Sequence, residues 1–211
     1  MLAVAFASLV LGPTVVAAEP EPAATSAFAA DREALAERLQ TIERYVATFT
    51  QTVFGVRGEI LEESQGRVWL ERPRFKWEVE EPYPQVLVTE GAKLKLYDPD
   101  LEQLTVRPLA EALKDTPVSL LTRDAVEIAD DFQVMHIADA GGDSFIVQPN
   151  SEETLYREIV LHFEGGGLRG LDILDHLGQR TEIRFRAQPD AVIAPGTFTL
   201  EVPPGTDVVG G

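Results

Sequence analysis

The chain has 211 residues, 35 Asp and Glu against 18 Lys and Arg, a formal charge of −17 and no cysteine. That length suits one domain with a real core, and the charge argues against nucleic acid or anionic membrane as the partner, since both need positive contacts. The lack of cysteine excludes a disulfide framework, a thiolate metal site, a thiol nucleophile and a lipid anchor built on cysteine.

The first 18 residues, "MLAVAFASLVLGPTVVAA", carry no charged side chain. The apolar run is broken at Gly12-Pro13 and ends in the small residues Val16-Ala17-Ala18, so residues 1–18 read as a signal peptide, although a basic leading region is missing. As a retained anchor, roughly 17 apolar residues with an internal Gly-Pro would barely cross the hydrocarbon layer. Residues 19–30, "EPEPAATSAFAA", are Pro/Ala-rich and unpatterned and read as a flexible N-terminal segment. Residues 31–211 are then expected to form a single domain.

In "DREALAERLQTIERYVATFTQTV" the residues Leu35, Leu39, Ile42, Val46, Phe49 and Val53 recur at steps of three and four. The spacing predicts one amphipathic helix running to Val53, packed on a sheet. From Gly66 the period changes to two. "GRVWL", "RFKWEVE", "QVLVTEG", "KLKLY" and "QLTVR" are followed later by "DFQVMHI", "SFIVQP", "EIVLHFE", "LRGLDIL", "TEIRFRA" and "TFTLEV". Many short strands at regular spacing predict an antiparallel sandwich or barrel. The interruption "RPLAEALKDTPVSLLTRDA" predicts two short helices, with Pro108 and Pro117 in their first turns and Leu109, Leu113, Val118 and Leu121 buried. Helices inserted there suit a cover over one opening.

Three motifs are better read as structure than as chemistry. "GGGLRG", residues 165–170, matches a dinucleotide fingerprint by letter, but strand-like runs flank it on both sides, so it reads as a hairpin turn. His136, His162 and His176 share no metal-ligand spacing and fall in or beside strand runs. Asp98-Pro99-Asp100 reads as a hairpin turn, and "GGDSF" lacks the elbow that exposes a nucleophilic serine.

In "ERPRFKWEV" Arg72, Arg74 and Lys76 alternate with Phe75, Trp77 and Val79. On a strand the aromatics share one face and the charges the other, as do Leu94 and Leu96 against Lys93 and Lys95. The charges are then the solvated side of a sheet. The inward set is either plain core or the lining of a cavity, and pattern does not separate those two.

The stretch from Arg72 to Val106, "RPRFKWEVEEPYPQVLVTEGAKLKLYDPDLEQLTV", resembles the central signature of the LolA family of periplasmic outer-membrane lipoprotein carriers. Its marks are an Arg/Lys-Pro, a Phe-x-Trp, an apolar strand, Asp/Glu-Gly-Lys (here Glu90-Gly91-Ala92-Lys93) and Tyr-Asp/Asn-Pro ahead of Glu-Gln. "ATFTQTV", "DTPVSLLTRD" and "FTLEVPPGTDV" extend the likeness on both sides. The resemblance implies a mainly β fold, an unclosed antiparallel β-barrel (half-barrel) with α-helices as a lid over a hydrophobic cavity for acyl chains. It implies that Phe75, Trp77, Val79, Leu94 and Leu96 line the cavity and that Leu120 and Leu121 sit in the lid. Arg72 would be the lid latch; the chain is one residue shorter between Pro73 and Phe75 than some members, which makes Arg74 the poorer match. The implied partners are lipoprotein cargo, an inner-membrane lipoprotein-releasing ABC transporter and an outer-membrane receptor lipoprotein, met by a periplasmic monomer without cofactor or metal. The rival readings are a lipid-sensing regulator of the same fold, a lipid-modifying enzyme, and a β-domain with a solid interior.

Overall fold

In the computed structural model, residues 22–112, 119–122, 131–139, 142–151 and 153–210 are described. The expected leader, residues 1–18, lies outside them, as do Leu113, Pro117 and Val118 of the inserted segment.

Helix α1 spans Pro22–Gln40, so the segment expected to be unstructured is helical from Pro22. It also stops earlier than its apolar spacing predicts. Thr41 caps it through its hydroxyl, which donates to the Arg38 carbonyl at 2.7 Å, and the chain enters β1, Arg44–Phe54. Tyr45, Val46, Thr48, Phe49, Thr50, Thr52 and Val53 are β-branched or aromatic, a composition that favours a pleated surface over a helix.

The chain then forms β2 (Ile60–Glu71), β3 (Arg74–Glu81), β4 (Gln85–Glu90), β5 (Lys93–Asp98) and β6 (Gln103–Pro108). Short helices α2 (Leu109–Ala112) and α3 (Ser119–Thr122) interrupt the strands. Strands β7 (Phe132–Asp139), β8 (Gly142–Pro149), β9 (Tyr156–Glu164), β10 (Gly167–Asp175) and β11 (Arg180–Ala187) follow, and β12 (Asp207–Gly210) ends the chain. The stretch "TFTLEV", expected as a strand, is irregular instead: it approaches the sheet through Phe198, which is buried, and Pro203-Pro204 follow it.

The twelve strands of the described residues make one sheet in the order β12-β6-β5-β4-β3-β2-β1-β11-β10-β9-β8-β7. Every pairing is antiparallel except β12 on β6. Strands β12 and β7 are the two edges and do not pair with each other, so the barrel is unclosed. Gly165 and Gly166 turn the chain between β9 and β10 with φ of 60° and 82°, the left-handed pair that a two-residue hairpin requires.

Register places Ala47, Val68, Trp77, Leu87 and Leu96 in one cross-strand row, and Tyr45, Leu70 and Phe75 in the next. These rows form the inner face. Leu35 and Leu39 of α1 and Leu120 and Leu121 of α3 join the buried residues of that face in one core with Phe132, Val134, Phe145, Ile159, Leu161 and Phe185. The outer face carries the expected charges. Arg67 pairs with Glu80, Lys76 with Glu78 and Lys95 with Glu90.

Candidate functional site: the inner face and its helical cover

An aromatic set from three strands occupies the middle of the inner face. Phe49 stacks on Trp77 with centroids 3.8 Å apart, and Trp77 meets the Phe185 ring edge-on at 6.1 Å. Gly66 makes the first contact possible. It pairs with Phe49 on one side and Val79 on the other, and a Cβ there would overlap the Glu78 carbonyl oxygen and approach Phe49 Cζ within 2.9 Å. Tyr45 donates its hydroxyl to the Leu168 carbonyl at 2.7 Å, and burial pushes its phenol pKa well above the ordinary value.

The residues singled out from sequence occupy unequal positions. Phe75 is 1% exposed and lies in the core under the helices. The Thr89 hydroxyl fixes its backbone, accepting from the Phe75 N–H at 2.7 Å. Trp77 and Val79 are half-buried, packed against that core but open on one side. Leu94 is buried, where α2 lies against β5 and β6, and stands apart from the main core. Leu96 shares its face but is 36% exposed. The inner face therefore has a packed end beneath the helices and an open apolar stretch formed by Trp77, Val79, Leu87 and Leu96.

Leu120 and Leu121 are both buried against the sheet. Arg72 sits in the turn between β2 and β3, where its N–H donates to the Glu43 carbonyl at 3.0 Å. Its Nε donates to the Leu121 carbonyl oxygen at 2.9 Å. One side chain of the sheet thus holds the backbone of α3. Arg74 points elsewhere: it pairs with Glu71 and lies over the Phe198 ring.

A second tie joins α1 to the sheet's far edge. Arg38 pairs with Asp143 on β8, whose other oxygen takes a hydrogen bond from His136 Nε2 at 3.0 Å. The backbone N–H of His136 donates to the carboxylate of Asp31, also on α1, at 3.1 Å. The hydrogen bond from His136, with help from Arg38, holds the Asp143 carboxyl below its ordinary pKa.

The fold also assembles a Ser–His–Asp array that sequence spacing gave no sign of. Ser144 Oγ lies 3.1 Å from His162 Nδ1, and His162 Nε2 lies 2.9 Å from Asp172 Oδ2. A carboxylate only accepts, so Nε2 carries the proton; in the neutral ring Nδ1 then accepts from Ser144. The ring is turned end for end relative to a hydrolase triad, where Nε2 faces the serine and Nδ1 the acid. The three residues lie on the outer face, opposite the buried Phe145, Leu161 and Leu171. Desolvation opposes ionisation of Asp172, but the His162 and Arg184 hydrogen bonds outweigh it and its pKa is lowered. The array has the chemistry of a satisfied polar ladder.

Residues 40–201 match the family described as outer membrane lipoprotein carrier protein LolA. The chain is 39% identical over 190 residues to an outer-membrane lipoprotein carrier protein of Chromohalobacter salexigens, covering 89% of this chain and 90% of the relative. It is 37% identical over 177 residues to the one of Azotobacter vinelandii, covering 83% and 84%. Among solved structures, an uncharacterized conserved protein from Thermus thermophilus is similar in fold, with a TM-score of 0.52 at 13% identity over 84% of this chain and 97% of that one.

Proposed function

The chain belongs to the LolA family of outer-membrane lipoprotein carrier proteins, and from that membership we propose that it shelters the acyl chains of lipoproteins in transit on the inner face of its half-barrel. The observation that carries this reading is the hydrogen bond from Arg72 Nε to the Leu121 carbonyl, set beside an apolar stretch left partly open at Trp77, Val79, Leu87 and Leu96. In the closed form Phe75 is covered by the protein's own side chains, so cargo enters only when the helices lift. Phe75, Leu94, Leu120 and Leu121 then join the lining, and Arg72 is the latch that favours closure.

The energetics suit such a design. Exposing an acyl chain costs about 0.8 kcal/mol per methylene, or roughly 11 kcal/mol for a chain of about fourteen carbons. A carrier must match that with apolar surface and still release its cargo. A latch of one charged donor, about 1–2 kcal/mol, is strong enough to bias the two states and weak enough to yield.

The same reading places the protein in the periplasm, loaded by an inner-membrane ABC transporter and unloaded by a receptor lipoprotein of the outer membrane, with no bond made or broken. A charge of −17 keeps it off anionic bilayers between the two. Displacement of a fluorescent fatty-acid probe by lipoprotein-derived lipopeptides tests the reading. Saturable binding that competes with lipopeptide is expected. A purified protein that takes up neither probe nor lipopeptide would overturn it.

A further inference from the structure

The open apolar stretch does not end in bulk solvent. Beyond Val79, at the end of the inner face where the hairpins turn, lies a cleft of about 400 Å³ whose wall includes Val79 itself together with Gln51, Ser64, Glu62, Asp98 and Asp100. The hollow thus presents three carboxylates, Glu62, Asp98 and Asp100, and no Lys, Arg or His is among the described residues lining it.

Ser64 lines the same hollow. It is 8% exposed, and its hydroxyl has no hydrogen-bond partner among the described residues. An unmade bond at a buried hydroxyl costs about 1–3 kcal/mol, which a polar ligand would recover. Asp98 is already committed to the Leu101 N–H and the Gln85 amide, and these bonds, the first above all, lower its pKa and keep it ionised. Glu62 and Asp100 make no ion pair among the described residues and stand free to take one.

Resting on the acyl-binding reading above, we propose that this vestibule receives a cationic group bonded close to the acyl chains of the cargo. The chemistry is an ammonium or guanidinium within a few residues of the acylated terminus: a Lys or Arg side chain, or an α-amine left unacylated. The hydrocarbon runs along Val79, Trp77, Leu87 and Leu96, and the charged group comes to rest between Glu62 and Asp100. Cargo then binds with its polar junction at the hairpin end and its tails toward the helices.

Synthetic lipopeptides test this on the full chain. Four carry an acylated cysteine and serine: three are triacylated and followed by four Lys, four Gln or four Glu, and one is diacylated with a free α-amine and four Gln. Competition against a fluorescent fatty-acid probe gives each affinity at low salt and at 0.5 M NaCl. The Lys form is expected to bind about tenfold tighter than the Gln form at low salt, with the advantage gone at high salt. The free-amine form separates the two sources of charge. An advantage there assigns the α-amine as a ligand, and none confines the site to side chains. Glu62→Gln/Asp100→Asn should erase the preference, so that the Lys and Gln forms bind the variant alike. Asp190→Asn/Glu201→Gln removes the same charge from exposed positions elsewhere and should leave the preference intact. Equal affinities for Lys and Gln forms, or equal effects of the two double variants, would overturn the vestibule. If no lipopeptide of any charge bound, the carrier reading would fall, and this proposal with it.

Discussion

Arg72 and Leu121 stand 49 positions apart in the chain, yet the guanidinium of one holds the main-chain oxygen of the other at 2.9 Å. The bond exists only while α3 rests on the sheet. Removing it with Arg72→Leu should raise the closed form by about 1–2 kcal/mol relative to the open one. Cargo would be held about five- to thirtyfold more tightly and surrendered correspondingly more slowly. Transfer from the preloaded variant to receptor-containing vesicles measures this, and wild-type delivery would refute the latch.

Phe75 and Leu96 share the inner face but differ in burial, so their substitutions should separate folding from binding. Phe75→Ala opens a void in the core and should cost about 3–5 kcal/mol of stability. Leu96→Glu places a charge on an already half-open surface. It should move the melting temperature little and weaken fatty-acid probe binding by about tenfold or more. Denaturant titration and probe fluorescence on the same two proteins check both halves.

Asp143 ties α1 to β7 and β8, and its carboxyl is held below the ordinary range of about 4. A lowered carboxylate pKa in the folded state contributes stability that is fully present above the unfolded value. That contribution is lost as pH falls through the folded one. Asp143→Asn should therefore be less stable than wild type at pH 7, with the gap closing as the solution is acidified below about pH 4. Melting temperature against pH for the two proteins decides it; a gap independent of pH would remove Asp143 from this role.

Gly66→Ala should be among the costliest single-methyl additions in the protein. The new Cβ meets the Glu78 carbonyl and the Phe49 ring, neither of which can swing aside without breaking the β2–β3 ladder or the Phe49–Trp77 stack. A loss of more than about 2 kcal/mol is expected, read by denaturant unfolding.

Much of the sheet was legible because one face of it is wet. In β3 and β5, Lys76 and Lys95 on the outer side alternate with Trp77 and Leu96 on the inner, and period two survives in the letters. β1 was not legible for the converse reason. Val46 is buried on the outer face while Ala47 and Phe49 are buried on the inner, so the alternation is erased where the strand begins. What remains, Ile42, Val46, Phe49 and Val53, has helical spacing by coincidence. "TFTLEV" fails differently. Its alternation is real, but the segment docks by one aromatic, Phe198, and makes no ladder.

Contacts between distant strands left no trace in the letters. Ser144, His162 and Asp172 lie on three strands, and only the β8–β9–β10 register sets them side by side. Gln51, Ser64 and Asp98 meet in the same manner, as polar residues on an otherwise apolar face. Each taken alone reads as an ordinary strand end.

The stretch from Gln188 to Thr206 crosses the back of the sheet, fastened at Val46 by the Gln188 N–H, at Arg44 by the Ala191 carbonyl and at Glu90 by the Leu200 N–H. On that side Val46, Val88, Leu104, Val106 and Phe198 are buried without belonging to the core beneath the helices. The wall is braced from behind. On the carrier reading proposed above, its front is vacated and refilled while its curvature stands, so that opening the container and unfolding the protein become separate events with separate free energies.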